Sequence, residues 1–127
     1  IAKFIDAAIR SQDIEVFGDG TQSRDFIYVK DTAAASIAAY RKGKPGEAYN
    51  VGTGITTSFN EIAKLIVTMT NSKSKILHVP NPFRNYQMYT RADITKAKNE
   101  LGFSPAYDLS MAIKEMIETE KKTQYPG

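Results

Sequence analysis

The residues best suited to chemistry stand in two polar loops. In the first, Phe17-Gly18-Asp19-Gly20 runs through Thr21-Gln22-Ser23 to Arg24, at the threshold of an apolar stretch. Glycine takes positive φ without strain and lets a backbone approach a ligand closely. The N–H groups of such a turn can meet an anion. Arg24 adds a permanent planar donor fork matched to phosphate oxygens. These groups together suit a diphosphate or a ribose phosphate. A purely structural reading stands beside this one: a plain hairpin turn, with Arg24 paired at the surface to Asp25 or Asp31. The second loop is Asn81-Pro82-Phe83-Arg84-Asn85-Tyr86-Gln87. It could close over a ligand, with Arg84 on phosphate and Tyr86 offering a ring face or a hydroxyl. Equally, Phe83 and Tyr86 could tuck against the core of an ordinary surface loop.

Other chemistries are excluded or disfavoured. The chain has no cysteine, so disulfides, thiolate metal sites and thiol catalysis are ruled out. The single histidine, His78, cannot build a histidine metal cluster, and in a strand it reads as a packed or edge residue rather than a base. No metal site is expected, and no residue is assigned a catalytic role. Tyr40 and Lys44 lie four apart in a basic helix end with no upstream serine or threonine context, so that pair is not taken as catalytic. The net charge is +3 with a sequence pI near 9.1, which raises nucleic acid as a partner. The positive residues are scattered, however, and the densest run, Arg41-Lys42-Gly43-Lys44, suits a helix C-terminus. No nucleic-acid partner is expected. No apolar run approaches the length of a membrane span, so no membrane is expected either, and a cytoplasmic setting is.

These loops need elements to hold them. At 127 residues the chain fits one domain, or part of one, and can bury a core. It opens inside a helical pattern, Ile1, Phe4, Ile5, Ala8 and Ile9, which predicts a helix over 1–11 in a chain cut from something longer. Residues 14–17 read as a strand, 25–29 as a second and 47–51 as a third. Asp31 is the expected N-cap of an alanine-rich helix over about 32–41, ended by Lys44-Pro45-Gly46. Ser58 and Glu61 form a capping-box pattern ahead of Ile62, Leu65, Ile66 and Met69, which predicts a helix to about Asn71. A fourth strand is expected over 75–79 and a short helix over 92–101, with Gly102 as its terminator. Asp108 or Ser110 should cap a last helix with Met111, Ile113, Met116 and Ile117 inward. Alternating helices and strands make the class α/β, with some parallel pairing.

The ordered segments "VFGDGTQSRDFIYVKD", "YNVGTG" and "ADITKAKNELGFSPAYDL" resemble the C-terminal part of the NDP-sugar epimerases and dehydratases, which are extended short-chain dehydrogenase/reductases. The likeness runs from about Lys3 to about Glu118. The stretch "VPNPFRNYQMYTRADITKAK" is most similar to the ADP-glycero-manno-heptose 6-epimerases, with the UDP-glucose 4-epimerases as the other near group.

The resemblance implies an α/β, C-terminal substrate-binding part of such an enzyme, with the N-terminal Rossmann core absent. All of 1–127 would belong to this nucleotide-sugar-binding portion, and about 26–51 would pack on the missing Rossmann domain. Phe17, Gly18, Asp19 and Gly20 would line the pocket, Arg24 would contact diphosphate or ribose, and Tyr86 would touch substrate. Arg84 would take the place of the family's loop arginine, about one residue out of step. Asn50 and Gly52 would be structural, the asparagine satisfying nearby backbone groups, and Asp93 would start a helix. NAD or NADP would bind mainly to the missing N-terminal domain. Neither the Gly-x-x-Gly-x-x-Gly fingerprint nor the family's Tyr-x-x-x-Lys pair occurs here, so no cofactor-binding residue is assigned.

The implied function is the substrate-binding portion of an NAD(P)-dependent nucleotide-sugar epimerase, silent as an isolated chain. A dehydratase or decarboxylase of the same family, or a stand-alone non-catalytic nucleotide-sugar-binding module, are the alternatives. The expected partners are the nucleotide sugar and either further copies of the chain or the missing N-terminal half.

Overall fold

A computed structural model describes residues 1–124 and has an α/β architecture. The first helix, α1 (Ala2–Ile9), buries Ile5 and Ala8, as its apolar spacing requires. It leads into β1 (Ile14–Phe17), whose Ile14 and Val16 point into the core. Helix α3 (Phe59–Thr70) begins at the expected capping box. Ser58 Oγ accepts the Glu61 N–H, and the Glu61 carboxylate receives the Ser58 N–H at 2.8 Å. Asn71 ends the helix in the left-handed conformation. After α3 the chain enters β4 (Ile76–Val79), which pairs parallel with β1, Ile14 opposite Ile76 and Phe17 opposite Val79. A parallel pair needs a long crossover, and α3 closes it. The first core joins Ile5, Val16, Ile62, Ile66, Ile113 and Ile117 from α1, β1, α3 and the last helix, α4 (Leu109–Gln124). Asp108 caps α4, its Oδ1 accepting the Met111 N–H at 2.7 Å. Met111 itself faces outward, and Ala112 takes the inward position instead.

A second, smaller core gathers Ala35 of α2 (Val29–Lys42) with Ala97, Leu101 and Phe103. The helix expected over 92–101 is shorter. The Asp93 carboxylate receives the Thr95 N–H at 3.0 Å ahead of it, and Ala97–Leu101 form a π-helical turn ended by left-handed Gly102.

Three sequence expectations need correction. Residues 25–29 do not form a strand. The ladder is short, β2 (Ser23–Arg24) antiparallel to β3 (Thr57–Ser58), and Val29 already begins α2. The β-forming residues instead link the two cores: Phe26 packs into the first and Ile27 into the second, while Tyr28 meets Tyr107 with ring centres 4.8 Å apart and planes tilted by 50°. Residues 47–51 likewise form no strand, although Tyr49 and Val51 both turn to the second core. Alternation records which side is buried and does not supply a neighbouring strand.

Asp31 is not an N-cap. It sits inside the first turn of α2, buried, and receives the N–H groups of Ala106 and Tyr107 at 2.9 and 3.0 Å. Among the described residues, no helix is long and apolar enough to cross a membrane, and no cluster of His, Cys, Asp or Glu could hold a metal ion.

Candidate functional site

The two loops singled out by residue type leave the same edge of the same small sheet. The Gly18-Asp19-Gly20 turn follows the C-terminal end of β1, and the Gly18 N–H extends the ladder to the Val79 carbonyl at 2.8 Å. The aromatic loop follows the C-terminal end of the neighbouring strand, β4. In open α/β sheets the crevice beyond the carboxyl ends of the strands is where ligands bind. The aromatic loop then returns alongside β2. The Ser23 N–H donates to Met88 O at 2.9 Å, Thr90 N–H to Ser23 O at 3.2 Å, and Asp25 N–H to Thr90 O at 2.9 Å.

This pairing brings Arg24 under the loop. Its guanidinium carbon lies 5.3 Å from the centre of the Tyr86 ring. Nη1 donates to the Ser23 carbonyl at 2.8 Å, and Nη2 donates to the Gln87 carbonyl. Tyr86 stacks on Phe83 (centroids 6.1 Å apart, planes at 16°), and Phe83 meets Phe17 edge-on at 6.0 Å. Phe17, Phe83, Tyr86 and Arg24 thus form one continuous ladder of rings capped by a cation. Beside it opens a cavity of about 520 Å³, with Phe17, Tyr86, Gln22, Phe59, Lys3 and Glu15 in its lining. That size falls in the range of small-molecule sites.

The turn glycines divide their roles. Gly18 has φ +64 and open space where a side chain would project. Gly20 has φ +73 and is buried; a Cβ there would fall 2.1 Å from Asn60 Oδ1. Asn60 fastens the turn to the start of α3, its Nδ2 donating to Asp19 O at 2.8 Å and its Oδ1 lying 2.9 Å from His78 Nε2. Asp19 is exposed. The Thr21 N–H and hydroxyl donate to its carboxylate at 3.0 and 2.7 Å and hold its pKa below the ordinary value. Arg84, by contrast, is exposed and has no hydrogen bond or ion pair to the described residues.

Four contributors were missed or misplaced by sequence reasoning. Phe83 has no site role in the sequence reading, although it stands three residues before Tyr86. Gln22 is buried and donates to the Phe17 carbonyl at 2.8 Å, and only tertiary structure exposes that role. Asn60 lies between the capping-box residues Ser58 and Glu61, and nothing in that pattern foretells its bond to Asp19 O. Asp25 was weighed as an ion-pair partner for Arg24, but it turns the other way, into the Gly52-Thr53-Gly54 loop. Asn50, expected to satisfy backbone groups, is exposed and has no hydrogen bond to the described residues; the Asp25 carboxylate does that work. Because it consumes the N–H groups of Thr53 and Gly54, this second glycine loop cannot cradle a pyrophosphate. That loop therefore offers no free pair of N–H groups at Thr53 and Gly54 for such a group.

The match to a family described as GDP-mannose 4,6 dehydratase covers residues 1–116. A UDP-N-acetyl-alpha-D-glucosaminuronate decarboxylase of Bacillus cytotoxicus is 38% identical over 123 residues, 93% of this chain and 38% of that protein. The solved UDP-glucose 4-epimerase of Thermotoga maritima, with UDP-glucose, superposes with a TM-score of 0.92 at 32% identity, over 97% of this chain and 39% of that one. The UDP-glucuronic acid 4-epimerase of Bacillus cereus, in complex with UDP-glucuronic acid and NAD, gives 0.87 at 27% identity, over 94% and 38%. The chain thus spans less than two fifths of the length of these relatives.

Proposed function

The chain belongs to the GDP-mannose 4,6 dehydratase family of nucleotide-sugar epimerases, dehydratases and decarboxylases, and on that premise we propose that it is the substrate-binding portion of an NAD(P)-dependent nucleotide-sugar epimerase. The observation that carries this reading is the Arg24 guanidinium lying against the Tyr86 ring, at the carboxyl edge of paired β1 and β4 and next to the cavity. A diphosphate is read by a planar fork of donors, and Arg24 provides one held in place by two carbonyls. Phe17 and Tyr86 border the cavity where a base would sit, and open Gly18 leaves room for close approach. Arg84, exposed in the loop that carries Tyr86, is a second cation and completes the site by closing on phosphate.

The redox chemistry of such an enzyme resides in its nicotinamide cofactor. In this reading NAD or NADP is held by an N-terminal Rossmann portion outside this chain. The residues described here grip the non-reacting end of the substrate, and remote binding of that kind orients the reacting sugar. The outward apolar stripe of α2, Val29, Ile37 and Tyr40, supports packing of about 26–51 on that portion. A cytoplasmic setting and a homo-oligomer fit the same reading. A dehydratase or decarboxylase is the second reading, favoured by the 38% identity to a decarboxylase; product analysis with UDP-sugars separates the three reactions.

The binding test is calorimetry with UDP-, ADP-, GDP- and dTDP-sugars on the protein at its full encoded length. Arg24→Ala should cost about 1.5–3 kcal/mol of affinity for the preferred one. An unchanged affinity rejects Arg24 as the diphosphate contact.

A further inference from the structure

Asp25 follows Arg24 directly but does not pair with it. Side chains of successive residues in extended backbone leave on opposite sides, so Arg24 turns to the aromatic loop and Asp25 away from it. The Asp25 carboxylate then meets four donors. Oδ1 accepts the Thr53 N–H at 2.8 Å and the Thr53 hydroxyl at 2.5 Å. Oδ2 accepts the Gly54 N–H at 2.8 Å and the Ala92 N–H at 3.2 Å. The approach is tight, because a Cβ on Gly52 would lie 2.5 Å from Ala92 Cβ and 2.7 Å from Asp25 Oδ2. Burial raises the pKa of this carboxyl, but the four donors outweigh it and leave it below the ordinary value, so it is an anion at neutral pH.

The position of Ala92 gives this cluster its consequence. The aromatic loop leaves β4 after Val79 and is pinned on its return by the backbone pairing of Met88 and Thr90 with Ser23 and Asp25. That pairing ends at Thr90. Two residues on, the Ala92 N–H is captured by Asp25, so the return stem is held by side chain as well as by backbone. The Gln87 carbonyl that receives Arg24 sits immediately before this stem. We propose that Asp25 is a positioning residue whose carboxylate fastens the return stem of the aromatic loop, and the Gly52–Gly54 loop with it, to the strand bearing Arg24, and so fixes where the guanidinium and the Tyr86 ring meet. The proposal rests on the reading of Arg24 as the diphosphate contact. A fork read bidentately depends on direction as well as on charge, so a loosened stem would weaken binding while leaving the arginine in place.

The test compares Asp25→Asn with Asp31→Asn in the protein at its full encoded length, with UDP as the probe. Asparagine would set an NH₂ against N–H donors that now find an oxygen. Asp31 is the control: a buried carboxylate that also collects two backbone N–H groups, but from Ala106 and Tyr107 rather than from the aromatic loop. Asp25→Asn should weaken UDP binding about tenfold, the loss of one charge-assisted contact's worth of order, and should speed amide exchange over residues 84–92. Asp31→Asn should lower thermal stability yet leave UDP affinity and exchange over 84–92 unchanged. Thr53→Val, which deletes only the hydroxyl, should shift both readouts in the same direction by less, and it decides the matter if Asp25→Asn does not fold. Unchanged exchange over 84–92 in the Asp25 or Thr53 variant overturns the proposal, as does an equal loss of UDP affinity in Asp31→Asn. If Arg24→Ala leaves UDP affinity untouched, the pocket reading fails instead, and amide exchange alone then judges the clasp.

Discussion

Arg24 and Asp25 show how two adjacent charged residues are divided between unlike tasks. The guanidinium faces the rings of the aromatic loop, where carbonyl oxygens fix it from two directions. The carboxylate faces a nest of N–H groups and stays ionised there. Arg24→Lys should recover little of the affinity lost in Arg24→Ala, because an ammonium cannot hold two carbonyls and present a flat fork at once; calorimetry with the preferred nucleotide sugar checks it. The acid response follows from the carboxyl groups. Asp25 and Asp19 titrate below their ordinary value of 3.8 in the folded protein. A group with a lowered folded pKa adds stability that is present above its unfolded pKa and is lost as the pH falls through the folded one. The urea midpoint should therefore hold at neutral pH and decline below about pH 4, and Asp25→Asn should start lower but decline less steeply.

At the scale of elements, α3 and the β1–β4 pair carry the site. Helix α3 contributes Ile62 and Ile66, both fully buried, and its first turn holds the glycine turn through Asn60. Ile66→Ala should cost about 2–5 kcal/mol, since the cavity it leaves lies among packed helices that cannot collapse freely. Ser58→Ala removes the capping hydroxyl and should cost about 0.5–2 kcal/mol. Both are read from denaturant unfolding. The parallel register of β1 and β4 places the glycine turn and the aromatic loop side by side.

Over the whole molecule, two apolar clusters are joined by Phe26 and Ile27, by the Tyr28–Tyr107 ring contact and by the Asp31 clasp. The outer face of α2 is uncovered: Val29, Ile37 and Tyr40 are 68%, 53% and 92% exposed. An exposed apolar stripe of this kind marks a candidate interaction surface. The 127-residue chain by itself should self-associate in a sedimentation run and should show no turnover of any UDP-sugar. A compact monomer, or measurable epimerisation by this chain alone, would refute that expectation.

The sequence by itself determined the elements whose signals are local. The capping box of Ser58 and Glu61, the apolar stripe of α1, the runs that became β1 and β4 and the two loops all lie within a few residues of their causes. The ordered motifs were enough to identify the family. What only the tertiary structure decided was partnership. Asp25 and Asp31 each find their donors far along the chain, at Thr53, Gly54 and Ala92 and at Ala106 and Tyr107. Their types said only that they would accept hydrogen bonds. Residues 25–29 and 47–51 have strand-like patterns, but a strand exists only where a second backbone lies alongside, and in these stretches packing against the two cores took its place. The meeting of Arg24 with Tyr86 belongs to the same class: it follows from the register of β1 with β4 and of β2 with the returning loop, which no single stretch of sequence encodes.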